Sequence, residues 1–122
     1  MTEAQLTKKL IDYVRKELPQ AVVFKHNDRV TTGIPDLSIT CGGRTLWVEV
    51  KREGNWPPSA LQQEIVKRLQ KAGTAVYAYF YRVGAKWRMQ ITWTILAEHP
   101  ILSGELQDDF KRFVTIVVPK ET

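Results

Sequence analysis

The chain has 122 residues, 43% hydrophobic and 25% charged, a composition that builds one globular core and excludes disorder. No apolar run approaches the roughly 18–20 residues of a spanning helix, Lys8 and Lys9 interrupt the first apolar stretch, and the single cysteine, Cys41, has no partner for a disulfide, so neither a membrane span nor a secreted, disulfide-stapled fold is expected. Eighteen Lys and Arg against 13 Asp and Glu give a formal charge of +5 and a pI near 9.5, which points to a polyanionic partner, nucleic acid first.

Residues 3–18 predict an amphipathic helix, with Leu6, Leu10, Ile11, Val14 and Leu18 at helical spacing. Thr2 caps it, with Gln5 three residues on as a capping-box partner. Ala21 to Phe24 is apolar and β-branched and predicts a first strand. Polar residues 27–33 then form a loop, and Ile34-Pro35 blocks any helix there. Asp36 to Thr40 and Thr45 to Lys51 predict two strands joined at Gly42-Gly43, a hairpin signal. After the turn-rich stretch 54–58, Ser59 caps a second helix that runs to about Ala72 and ends at Gly73. Thr74 to Tyr81 and Trp87 to Trp93 predict two more strands, 108–113 a short helix, and 114–118 a last strand. The expected fold is α+β, a mixed sheet flanked by helices in one domain.

The hairpin carries the chemistry. A two-residue Gly42-Gly43 turn pairs the strands so that Asp36 faces Glu49. Cross-strand Cβ atoms stand about 4.5–5.5 Å apart, and like charges there destabilise the sheet. A divalent cation removes that repulsion, because two carboxylates supply the hard oxygen ligands it prefers. Lys51 follows Glu49 by two and shares its strand face, where an ammonium can orient an attacking water or stabilise a pentavalent phosphate. An isolated Glu-x-Lys is more often an ordinary surface pair; behind Gly-Ile-Pro-Asp and a short hairpin the functional reading is favoured.

Both helices add polar groups to this region. Glu3 falls in the middle of the arc made by Leu6, Leu10 and Val14, and so faces the sheet. Glu17 shares the arc and competes, and the helix dipole alone also favours an acid at position 3. In the second helix Leu61, Ile65, Val66, Leu69 and Ala72 define the buried arc, with Gln62 inside it and Gln63 outside. A buried amide needs partners, and a metal-bound water or a phosphate is one candidate.

Gly33-Ile34-Pro35-Asp36, twelve intervening residues, then Glu49-Val50-Lys51 resembles the PD-(D/E)XK nuclease signature. The fuller pattern is most similar to the VRR-NUC branch, whose early-helix glutamate is matched by Glu3. Its glutamine eleven residues before a glycine is matched by Gln62 and Gly73. The resemblance covers about residues 3–81 and leaves the stretch after Tyr81, including the C-terminal extension 98–122, without a counterpart. It implies a restriction-endonuclease-like core and a metal-dependent DNA endonuclease. Asp36, Glu49 and the Val50 carbonyl would bind Mg²⁺ or Mn²⁺, and Glu3 would complete the shell directly or through water. Lys51 would position the water, with Gln62 in support. It further implies an intracellular, bacterial or phage-type protein, dimeric and selective for Holliday junctions or other branched DNA. The alternative is a catalytically idle nucleic-acid-binding module, or an interaction subunit of a larger nuclease or recombination complex.

Further candidates for nucleic-acid contact are His26, before the loop to Asp36; Trp56, which can stack on a base or anchor its loop; and Lys67, Arg68 and Lys71, a basic strip on the second helix. His26 and His99 are too isolated for a histidine metal site. Residues 1–97 hold 15 basic and 8 acidic residues, whereas 98–122 hold 3 and 5. That acidic tail, with Ile101, Leu102, Phe110 and Phe113, is expected either to form a dimer interface or to cover an edge of the sheet.

Overall fold

A computed structural model describes residues 1–26, 33–95 and 103–119. The elements run α1 (Glu3–Glu17), β1 (Val22–Lys25), β2 (Leu37–Cys41), β3 (Arg44–Arg52), α2 (Ala60–Ala72), β4 (Thr74–Val83), β5 (Lys86–Thr92) and α3 (Leu106–Ile116). The strands form one sheet in the order β1-β2-β3-β4-β5. Neighbours are antiparallel except β3 and β4, which run parallel because α2 crosses over between them. The expected α+β architecture with a mixed sheet is present.

Strand alternation divides the apolar residues between the two faces. Leu46, Val48 and Val50 of β3 join Val76, Ala78 and Phe80 of β4 in the main core, which α1 covers with Leu6, Leu10 and Val14 and α3 with Phe110 and Phe113. Trp47 and Glu49 project the other way, toward a smaller cluster of Val66, Ala75 and Tyr77 under α2. Both predicted capping boxes form: Thr2 with Gln5, and Ser59 with Gln62.

Two expectations fail. Residues 114–118 are not a strand, because α3 continues to Ile116. Phe110, Phe113 and Val117 repeat at i, i+3 and i+7 and are all buried, so burying a helical stripe outweighs the β-branched run Val114-Thr115-Ile116. Nor do Phe110 and Phe113 form a dimer interface, since both are inside the main core. α3 covers β5, a sheet edge, as the second expectation had it. Asp109 holds it there: its carboxylate takes two hydrogen bonds from Arg88, at 2.7 Å each, and one from the Met89 amide at 2.9 Å. Ile101, Leu102 and His99 lie outside the described residues.

The second-helix arc is narrower than expected. Val66 alone is fully buried on α2, while Leu61 is 46% exposed and Ala72 is at the surface. α2 packs mainly on β4 and β3, so one row of side chains covers most of what lies beneath it.

Candidate active site

The hairpin register is the one the two glycines predict. Leu37 pairs with Val48 and Cys41 with Arg44, and Gly42 and Gly43 take φ of 60° and 76°. Positive φ at both central residues is the hairpin turn that glycine permits. Continuing the ladder by one residue brings Asp36 to Glu49. Asp36 stands just before β2, held at both ends of the residue: its carbonyl accepts from the His26 amide at 2.7 Å, and its Oδ2 accepts from the Val50 amide at 2.8 Å.

Gly33 sets the approach to this residue. Its φ is +87°, and a Cβ there would lie 2.8 Å from Ile65 Cδ1 and 3.0 Å from Leu61 Cγ. The Gly-Ile-Pro-Asp segment is thereby fixed against α2, the helix that also carries Gln62. Gly33→Ala is expected to cost roughly 1–3 kcal/mol of stability, from backbone strain plus the displaced side chains. Gly43→Ala, at φ +76° with nothing within 4 Å, isolates the strain. Thermal melts in which the two variants lose equal stability would remove the packing part of the argument.

Glu49 is the deepest of the acids at the site, 1% exposed. Its Oε1 accepts from Gln62 Nε2 at 3.2 Å, while Oε2 is buried and meets no donor. Burial first, then the adjacent Asp36 carboxyl, by its charge and by a hydrogen bond to the protonated Glu49, push its pKa up to about 9, with Lys51 opposing the rise and Glu3 adding to it. Gln62 is used at both ends: its Oε1 accepts from the Ser59 amide at 2.9 Å as the capping-box residue. Its position as the third helical residue therefore fixes the amide that reaches Glu49.

Glu3 is at the start of α1 and accepts from Asn55 Nδ2 at 3.4 Å. It acts on Glu49 through the field rather than by a direct hydrogen bond. Among the described residues no three Asp, Glu, His or Cys side chains come together as a complete metal cluster. Lys51 is half-buried beside this group.

No family model matches the sequence, and no curated protein matches it. Among solved structures, the chain is similar to Hjc of Archaeoglobus fulgidus, a Holliday junction resolvase from an archaeal hyperthermophile. The identity is 22% and the TM-score 0.45, over 68% of this chain and 74% of that one.

The peripheral candidates divide. His26 is at the site: beyond its backbone link to Asp36, Nε2 is 2.8 Å from Ser38 Oγ and the ring lies 5.2 Å from that of Trp47. Trp56 is half-buried, packed edge-on to Tyr77 at 5.6 Å and against Tyr79 at 4.8 Å, contacts that anchor its loop. Lys67, Arg68 and Lys71 are exposed on α2, and Arg68 pairs with Glu64. Three neighbours escaped the sequence reading. Tyr77 lies directly across from Glu49 on β4, a pairing set by the parallel register, which no local motif encodes. Asn55 reaches Glu3 and Ser38 reaches His26, and polar residues of that kind carry no signature in a single sequence.

Proposed function

We propose that this chain is a divalent-metal-dependent endonuclease that hydrolyses phosphodiester bonds in branched DNA and acts as a homodimer. One observation carries the reading: Glu49 Oε2 is buried without a donor next to a second carboxyl. Two carboxyls this close must share a proton when the site is empty, a cost with little return in a protein that uses them only for structure. The donor set fits a hard cation, since two carboxylates and a nearby carbonyl are the ligands Mg²⁺ and Mn²⁺ favour.

Asp36 and Glu49 would hold the ion together with the Val50 carbonyl, and Glu3 would join through water. Bound there, the ion supplies a water of lowered pKa and offsets negative charge developing on the phosphate. The chain's own groups do the rest. The Val50 amide fixes Asp36, and Gln62 fixes one oxygen of Glu49, so that the other is left free to ligate. Lys51, on the same strand face as Glu49, orients the attacking water with its ammonium protons. The basic body attracts the polyanion.

Branched DNA and the dimer belong together. A single site cuts one strand, whereas a twofold pair presents two sites to the opposed strands of a junction. The test is incubation of the pure protein with linear, flapped and four-way DNA in the presence of Mg²⁺ or Mn²⁺, alongside light scattering at micromolar concentration. Metal-dependent cleavage, faster on the four-way substrate and given by a dimeric mass, is the expected result. Equal rates on junction and linear duplex would remove the branched preference, and a monomeric mass would remove the dimer. DNA binding without cleavage in either metal would leave the idle-module reading in its place.

A further inference from the structure

At the carboxyl end of β3, one residue past Lys51, two arginines share one indole. The guanidinium carbon of Arg82 is 5.5 Å from the centre of the Trp87 ring, and that of Arg52 is 5.9 Å from it. Arg82 and Trp87 are ladder partners on β4 and β5, and Arg52 pairs with Phe80 on β4, so the three project from the same end of the sheet. The two cations differ in what neutralises them. Glu53 gives both of its oxygens to Arg82, accepting from the side chain at 2.6 Å and from the amide at 3.1 Å. Arg52 hydrogen-bonds, among the described residues, to the Met1 carbonyl at 3.5 Å, and Glu53 reaches it only through the field.

Two like charges on one ring repel each other, and the single Glu53 carboxylate, shared through the field by both, leaves one positive charge uncompensated. An anion completes the arrangement. The indole face holds each guanidinium by cation–π attraction and lets its N–H fork point outward, the geometry that takes a phosphate with two parallel hydrogen bonds. We propose that Arg52 and Arg82, seated on Trp87, form a clamp for a DNA backbone phosphate next to the cleavage site.

The place fits that role. Arg52 reaches back to Met1, and Asn55, three residues on, reaches Glu3, so the clamp and the carboxylates share the rim formed by the start of α1 and the end of β3. Arg52 is three residues beyond Glu49, so it projects from the face of Val48 and Val50 while Glu49 and Lys51 project from the α2 face, and the two groups meet only around the end of the sheet. A strand crossing the end of the sheet thus presents one phosphate to the carboxylates and another to the arginines. The clamp would set the direction in which DNA leaves the site. It rests on the DNA-cleaving reading above.

Binding and cleavage are measured separately to distinguish the two. Fluorescence anisotropy of a labelled four-way junction in EDTA, from 50 to 200 mM salt, reads binding alone. Arg52→Ala is expected to weaken binding roughly fivefold to tenfold and to lower the slope of log K against log[salt] by about one, the loss of one phosphate contact. Arg52→Ala/Arg82→Ala is expected to lower it by about two. Arg52→Lys keeps the charge and loses the planar fork, so the slope stays while affinity falls. Lys8→Ala, which removes an exposed α1 charge paired with Asp12, controls for net charge and should leave both quantities near wild type. A double variant matching Lys8→Ala in affinity and slope, in a wild type that cleaves, overturns the clamp and spares the nuclease. Wild-type protein that binds with these slopes but never cleaves overturns the nuclease and spares the clamp. Wild-type protein that binds no DNA overturns both.

Discussion

Lys51→Ala is expected to lose between about 10² and 10⁴ in cleavage rate while its affinity for DNA changes less than about tenfold. The first figure is what a positioned proton-handling or charge-stabilising group contributes to a transition state. The second follows because affinity for DNA is spread over many phosphate contacts, of which one ammonium supplies at most one. Lys51 is half-buried and has no ion-pair partner within 4 Å among the described residues, so the substitution removes no salt bridge of the fold. It does remove the charge that opposes the rise in the Glu49 pKa. The variant should therefore also need a higher pH, or more metal, for whatever activity is left. Single-turnover cleavage with saturating enzyme separates the rate from binding, and a melt checks the fold. Cleavage at the wild-type rate would show that Lys51 is a surface residue and that the water is oriented by something else.

What could be read from the sequence is what local rules control. Gly42-Gly43 determined the hairpin register, because two adjacent positive-φ residues admit few turns, and the register alone brings Asp36 to Glu49. Ser59 with Gln62 announced both the start of α2 and the residue that touches Glu49, because a capping box uses the third helical residue. The failures have the opposite character. Val114-Thr115-Ile116 reads as strand by propensity and becomes helix because the phenylalanines before it need a common face. Trp56 reads equally well as a stacking platform or a loop anchor, and its contacts with Tyr77 and Tyr79, set by the parallel β3–β4 pair, leave no trace in the local sequence. Arg52, Arg82 and Trp87 come together from three strands, so nothing in their sequence spacing marks them as one group.

Glu49→Gln is expected to stabilise the metal-free protein at alkaline pH and to abolish its response to metal. The carboxyl has a folded-state pKa of about 9 against an ordinary value of 4.5. Between those two values the folded chain keeps a proton that the unfolded chain releases. Stability from this group is thus complete below about pH 4.5 and is lost progressively as the pH rises through 9. Glutamine has the same shape and no proton to lose, so the difference between variant and wild type should grow from pH 5 to pH 9. A melting temperature higher by roughly 5–10 °C at pH 9 is the expected scale for relieving a buried, unpaired charge in a chain of this size. A divalent cation does for wild type what the substitution does, because it replaces the proton and stabilises the ionised carboxylate. At a hundredfold over its dissociation constant, Mg²⁺ or Mn²⁺ should add about 2.7 kcal/mol, roughly 10 °C. That gain should be larger at pH 8 than at pH 6, where the ion must displace a bound proton. Asp36→Ala should remove most of the gain, and Glu49→Gln all of it. A wild type whose melting temperature ignores metal at pH 8 has no cation site at Asp36 and Glu49. A pH slope shared by wild type and Glu49→Gln would mean that Glu49 is ionised throughout, and that its buried oxygen is satisfied by solvent rather than by a proton.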